Sequence, residues 1–440
     1  MPTADRICLI GAGSSGLTAA KTLHEAGLPF DCFEKGSALG GNWRYNNDNG
    51  LSSAYRSLHI NTNRRAMSYS DFPMPARYPM FPHHSHIIAY FEDYARHFGI
   101  DKLLTYNTEV THVRPHPDGA WRVTTRTRGG GDLQERAYRA VIVANGHHWC
   151  PRYPDPPFPG SFSGETLHAH DYRTPDQVAG HHVVIVGIGN SAVDIACEAA
   201  RQYSGRVTIS TRSGAYILPN WIWDVPFDSL ASPLMSKLPL AVQRVVLRAV
   251  LWLAHGNQAR FGVPRPQRPL LSEHPTLSQD LLYLAGRGLL HFRPNIRELQ
   301  GDHILFEDGS TEAADLLIYA TGYRVSFPFF DPDFLQVEQQ NNLELYRHVV
   351  HPDHAGLYFL AFLQPLGPIM PLAEVQSNWI ARLLSGQCQL PSRSEMLRSI
   401  AADKAAVAKR YGSSPRHTLE VDFYPYKDLI EREMRRQASK

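Results

Sequence analysis

Arg6-Ile-Cys-Leu-Ile10, Gly11-Ala-Gly13-Ser-Ser-Gly16 and Leu17 to Ala26 follow one another near the start of the chain, and their reading decides the fold. A short apolar run enters a three-glycine loop and leaves it with apolar residues at helical spacing. Gly27 stops that helix, and Pro29 to Phe33 makes a second strand closed by Glu34. Strand, glycine loop, helix and an acid-terminated strand together form a βαβ unit. Gly11 permits the tight turn, Gly13 lets backbone approach a pyrophosphate, and Gly16 allows close helix–strand packing. The amides that open the helix then meet the phosphates. Glu34 is placed to accept from a ribose 2′-hydroxyl, and its charge repels a 2′-phosphate. The first site therefore suits FAD or NAD, not NADP.

The same grammar recurs about 175 residues later. His182-Val-Val-Ile-Val186 leads into Gly187-Ile-Gly189-Asn190-Ser191-Ala192, a helix from Val193 to Arg201, and the strand Val207 to Thr211. Two differences are informative. Ala192 replaces the third glycine and is still small enough for close packing. Arg212 stands where the first unit has its acid, and a guanidinium there can pair with a 2′-phosphate and stack on adenine. That favours NADP.

Between the two units lie β-like pieces, Thr108 to Val113 and Ala120 to Arg126, closed by Arg139 to Gly146. Val143-Ala-Asn-Gly146 and Tyr319-Ala-Thr-Gly322 read as strand ends whose small residues let the chain pass close to a cofactor. The expected fold is α/β with two Rossmann-like dinucleotide-binding domains. The first domain, which suits FAD or NAD, would comprise residues 1–175 and 315–440, interrupted by a second, NADP-favouring domain over 176–314 that carries a helical insert at about 215–288.

Composition narrows the function. With 44 basic and 42 acidic side chains the net charge is +2, and no basic stripe marks a nucleic-acid partner. The histidine pairs His83-His84, His147-His148 and His181-His182 come with no metal-ligand spacing, so no metal is expected. Five cysteines without a CxxC fit free thiols in a reducing cytoplasm, and they exclude the dithiol chemistry of disulfide reductases. No signal peptide is read at the N-terminus, and Leu238 to Ala254, with Arg244 and Arg248 one turn apart, reads as an amphipathic helix and not a membrane span. The insert, with Trp221, Trp223 and Phe227, is expected to wall a pocket or bury the contact of a homodimer.

The chain resembles the class B flavin-containing monooxygenases. Phe162-x-Gly164-x-x-x-His168-x-x-x-Tyr172 lies between the two glycine loops, where that family carries its identifying sequence. Phe33-Glu34-Lys35 and Gly40-Gly41-Asn42-Trp43 resemble its flavin-domain signature, and Tyr55-Arg-Ser-Leu, Asn61 and Ser70-Asp-Phe-Pro73 resemble the segment lining its flavin site. Ala320-Thr321-Gly322-Tyr323 and Gln364 to Pro371, with Glu374, Gln376 and Trp379, follow in order. The likeness runs from Ile7 to about Leu429. It lacks the membrane-anchoring tail of the animal members, so no membrane partner is expected. Tyr172 stands where Baeyer–Villiger enzymes tend to place Trp-Pro, which weighs against that class. The resemblance assigns domain coupling, and no chemistry, to the Phe162–Tyr172 segment, which reads as a linker or hinge.

The resemblance implies an enzyme using FAD, NADPH and O2. NADPH reduces the flavin, oxygen adds at C4a to give a hydroperoxide, and a soft nucleophile (a tertiary amine, a sulfide or an indole) takes the distal oxygen. Such chemistry needs a dry pocket and fixed donors more than an acid–base pair. Asn61 is the catalytic candidate, because its amide donates and accepts without ionising; the competing reading is that Ile60-Asn-Thr-Asn63 is a turn. Ser14, Ser15, His59, Ile60, Thr62, Val110, Asn145 and Asp194 are further cofactor-binding candidates on the same resemblance. Two alternatives stay open: ketone oxygenation with the same cofactors, and a flavin redox module without oxygenation, against which the absence of CxxC and iron–sulfur runs argues.

Overall fold

The structure is a computed structural model describing residues 5–202, 205–335, 343–411 and 419–436. It divides into two compact units: 1–52, 62–150 and 324–440 form the first, and 53–61 with 151–323 form the second.

The first unit opens with β1 (Ile7–Ile10), α1 (Ser14–Glu25) and β2 (Phe30–Phe33). All four residues of β1 are buried, which is why the run carries no alternation: a strand covered on both faces is apolar throughout. After the helical segment His84–His97 come β3 (Leu104–Thr105) and the antiparallel β4 (Thr108–Pro115), β5 (Trp121–Thr127) and β6 (Gln134–Tyr138). The strand β7 (Ala140–Val143) then returns to pair in parallel with β1.

The second unit contributes β8 (Glu165–His168), β9 (His182–Val186), α2 (Asn190–Gln202) and β10 (Arg206–Ser210). Helix α3 (Leu240–His255) follows, then β11 (His291–Arg293) and β12 (Leu316–Tyr319). Its sheet is parallel throughout, in the order β8-β12-β9-β10-β11. Back in the first unit, β13 (Leu357–Phe359) completes a parallel sheet ordered β13-β7-β1-β2-β3, and α4 (Met370–Leu384) packs against α1. Two parallel sheets, each built on a strand–loop–helix–strand unit, are the α/β double-dinucleotide architecture expected.

The two sheets differ in where the fifth strand comes from. In the first it is the last in sequence, β13; in the second it is β8, which precedes the nucleotide motif. The unit boundaries therefore differ from the expected ones. The second unit begins near residue 151, not 176, and runs to 323, not 314, because β8 and the end of β12 pair within its sheet. The expected hinge at Phe162–Tyr172 is correspondingly a structured part of that unit. Glu165–His168 is an edge strand, and Tyr172 is fully buried with its hydroxyl donating to Glu198 at 2.6 Å.

Helix α3 is also turned otherwise than its sequence suggests. Arg244 faces inward, donating to Leu270 O at 2.8 Å and to Ser272, while Val245, Trp252 and Leu253 are each more than 60% exposed. The carbonyl at Leu270 demands a donor, and the arginine supplies it at the expense of an apolar contact. No helix among the described residues is long and apolar enough to cross a membrane.

Candidate active site

Each glycine loop is fixed by the same three backbone bonds. The amide of Gly11 donates to Phe33 O at 2.8 Å, and that of Gly187 to Ser210 O at 2.9 Å. Ala144 N reaches Ile10 O at 2.9 Å, and Ala320 N reaches Val186 O at 3.0 Å. Leu17 N bonds Gly13 O, and Val193 N bonds Gly189 O, both at 3.0 Å. Each loop is thus held under the end of a neighbouring parallel strand, which is the task of the two Ala-containing strand ends.

A side chain cannot enter this arrangement. Gly11 has φ +102 and a Cβ there would lie 2.7 Å from Ala144 O; Gly187 has φ +124 and its Cβ would lie 2.6 Å from Ala320 O. At Gly16 the Cβ would come within 1.9 Å of Gly11 O. Ala192, its counterpart, is 1% exposed in the core of the second unit, so a methyl is accommodated there. Gly13, Ser14 and Ser15 remain half-buried, and α1 has no side chain capping its first turn. Its opening amides are therefore available to an anion.

Glu34 does more than the sequence suggested. Its buried carboxylate accepts from Ala12 N at 2.9 Å and Gly36 N at 2.8 Å, and from Asn49 Nδ2 at 3.2 Å. It clamps the glycine loop itself, with one acceptor site still free on Oε2 by the capacity of a carboxylate. Ala12 O in turn accepts from Gly40 N at 2.9 Å, which seats the Gly41–Trp43 turn beside the loop. Beyond Glu34, a cavity of about 330 Å³ is lined by Lys35, Asn49, Glu109, Arg126 and Gly130 among others. Lys35 and Arg126 both pair with Glu109, each at 3.0 Å.

The remaining first-unit candidates divide. Asn145 donates to Ser326 O at 3.1 Å, while its buried Oδ1 accepts nothing from the protein. Such an orphaned acceptor beside Gly11 fits a bound cofactor. Val110 contributes its side chain to the core, next to an irregularity in β4 that shifts the register with β5. Gln364 lies on a short strand pairing with Glu420–Asp422. The Gln376 amide bonds within the protein at both ends: Oε1 accepts from Ala361 N at 2.8 Å and Nε2 donates to Tyr426 at 2.6 Å. It holds Ala361 at φ +62, and one Nε2 hydrogen and one Oε1 lone pair remain beyond these two bonds.

In the second unit Asn190 Oδ1 accepts from Leu277 N at 2.8 Å, a contact with the insert that no motif signalled. Ser191 is exposed. Thr321 bonds the Arg152 carbonyl, and Arg152 N bonds Gly322 O at 3.0 Å. Arg212 is exposed, and among the described residues no carboxylate pairs with its guanidinium. Asp194 is bound by the Tyr55 hydroxyl at 2.6 Å, and burial raises its pKa to about 6.

Asn61 and Asn63 separate cleanly. Asn63 caps the helix Arg64–Met67, accepting from Arg65 N and Ala66 N, both at 3.0 Å. Asn61 is half-buried, and no other residue among those described takes its amide. Turn chemistry therefore accounts for Asn63 and leaves Asn61 free. Thr62 is half-buried, Ile60 is buried, and His59 is exposed with Nδ1 on Ser57 O at 2.7 Å.

All five cysteines are free, and no metal-ligating group of three occurs among the described residues. Two strand–loop–helix cradles, the first followed by an acid and the second by an arginine at the end of the next strand, and neither beside a dithiol, have the architecture of an oxidoreductase that takes two dinucleotides. The chain belongs to the flavin-binding monooxygenase-like family, whose model matches residues 4–438. It is 37% identical to flavin-containing monooxygenase 5 of Rattus norvegicus, over 95% of this chain and 80% of that one. It is 34% identical to dimethylaniline monooxygenase [N-oxide-forming] 2 of Pan troglodytes, over 97% and 82%. Its fold matches the S-allyl-L-cysteine S-oxygenase of Allium sativum with a TM-score of 0.73 and 26% identity, covering 99% of this chain and 89% of that one. The protein is an NADPH- and O2-dependent monooxygenase with FAD and NADP as its cofactors.

Proposed function

We propose that the enzyme oxygenates a soft nitrogen or sulfur atom of a small molecule, with Asn61 as the side chain that orients the reacting groups. Bound FAD, reduced by NADPH, supplies the electrons that put one oxygen atom of O2 on the substrate and release the other as water. The first unit would hold FAD by the open amides of Ser14, Ser15 and Gly16, the remaining acceptor site of Glu34 and the orphaned Oδ1 of Asn145. The second would hold NADP through its own loop, with Arg212 taking the 2′-phosphate. Relatives named for N-oxide formation and S-oxygenation support the substrate class.

The observation that carries the role of Asn61 is that no described residue engages its amide, two residues from an asparagine whose Oδ1 caps a helix. An amide can donate to an oxygen and accept from a donor at any working pH. Asn61→Ala is expected to keep FAD and to be reduced by NADPH at near the native rate, while hydrogen peroxide released per NADPH rises and product falls. An unchanged product yield per NADPH would remove Asn61 from the chemistry. The five free thiols support a reducing cytoplasm as its location. The exposed apolar side of α3 supports a homodimer, which sedimentation equilibrium decides.

A further inference from the structure

Nine residues, Ser53–Asn61, belong to the second unit although the chain on either side of them belongs to the first. Within its own unit this strap is attached at several points. Ser53 hydrogen-bonds the Tyr323 side chain. The Tyr55 ring is buried in one apolar cluster with Ala169, Tyr172, Ile188 and Ala192, its centroid 5.8 Å from that of Tyr172. Its hydroxyl donates to Asp194 Oδ2 at 2.6 Å. Arg56 N donates to Arg173 O at 2.8 Å, and Leu58 packs on the same cluster.

Asp194 lies in the second turn of α2, the helix that opens on the Gly187–Ala192 loop. The strap is therefore tied to the nucleotide helix itself, by a charge-assisted bond from a phenol in an apolar shell. Such bonds are short and directional, and about twice as strong as neutral ones. Asn61 follows Leu58 by three residues, a span of roughly 10 Å at full extension. Among the described residues no partner fixes its amide locally, so its placement is inherited from the attachments upstream.

We infer that Tyr55 is a positioning residue: ring in the core and hydroxyl on Asp194, it sets the strap on α2 and thereby the place of the Asn61 amide. The inference rests on the reading of Asn61 proposed above, and the test separates the two.

Hydrogen exchange with mass spectrometry on the FAD-loaded, substrate-free protein reads the strap without turnover. Tyr55→Phe keeps the ring and removes the hydroxyl. Protection of the peptide covering 53–61 should fall roughly tenfold or more, as expected for losing one hydrogen bond to a charged acceptor, while α2 and its sheet stay protected. Asp194→Leu should reproduce that loss, and Asp194→Asn, which keeps an acceptor oxygen, should not. Undiminished protection in Tyr55→Phe overturns the inference.

Peroxide released per NADPH gives the second readout. It should rise several-fold in Tyr55→Phe and rise no further when Tyr55→Phe is added to Asn61→Ala. Full additivity would show that Tyr55 acts elsewhere, and the inference would fail. Should Asn61→Ala alone leave peroxide release unchanged while strap protection still depends on Tyr55, the reading of Asn61 falls and the tie to Asp194 stands.

Discussion

Replacing Asp194 by asparagine should stabilise the protein, and the gain should depend on pH. Burial raises the Asp194 pKa from 3.8 to about 6, with the Glu198 and Asp280 charges adding to it and the Tyr55 hydrogen bond opposing. Below the unfolded value both folded and unfolded chains hold the proton, and the carboxyl costs nothing. Between the two values the folded chain keeps the proton and the unfolded chain loses it, so stability falls as pH rises. Above the folded value the full penalty remains, about 3 kcal/mol at 1.36 kcal/mol per unit. At about pH 5 the same linkage gives about 1.6 kcal/mol. Asparagine cannot ionise, yet its Oδ1 still accepts from Tyr55. The stability difference between variant and parent should therefore widen by about 1.4 kcal/mol from about pH 5 to about pH 7.5. Urea unfolding of the FAD-loaded proteins at the two pH values measures it, and comparing the pair cancels every other titrating group. A difference that stays constant with pH, or narrows as pH rises, refutes the reasoning.

Two further outcomes follow from the cradles. Gly16→Ala places a methyl 1.9 Å from a backbone oxygen that cannot move without opening the loop; the purified variant should be largely colourless, with FAD affinity down by roughly a hundredfold if about 3 kcal/mol of overpacking falls on the site. Full flavin occupancy in that variant would contradict the geometry. Arg212→Gln should raise the KM for NADPH by roughly tenfold or more while leaving that for NADH little changed, since loss of a charge-assisted bond acts only on the 2′-phosphate. Equal effects on both nucleotides would take Arg212 out of cofactor selection.

Much of the site was legible because its demands are local. Gly11, Gly16 and Gly187 stand where no Cβ fits, and the apolar runs on either side are strands buried on both faces, so the spelling announces the βαβ unit. Glu34 and Arg212 could be located by counting to the end of the next strand. Asn63 was equally legible as a turn former, and turn chemistry alone offered no way to tell it from Asn61. The engagement of Gln376 with Ala361 and Tyr426 was hidden, because its partners stand 15 and 50 residues away. The inward turn of Arg244 was hidden for a related reason: the carbonyl that draws it belongs to a segment with no regular structure.

By itself the sequence determined the two nucleotide units and their order, since these follow from steric exclusion at single residues and from strand length. Only the tertiary structure decided that β8 joins the second sheet, that Glu34 clamps the loop it faces, and that Ser53–Asn61 is carried by the second unit. Those outcomes depend on which distant groups satisfy buried donors and acceptors. A hydrogen bond such as that between Tyr55 and Asp194 joins residues 139 positions apart, and no local pattern encodes that distance.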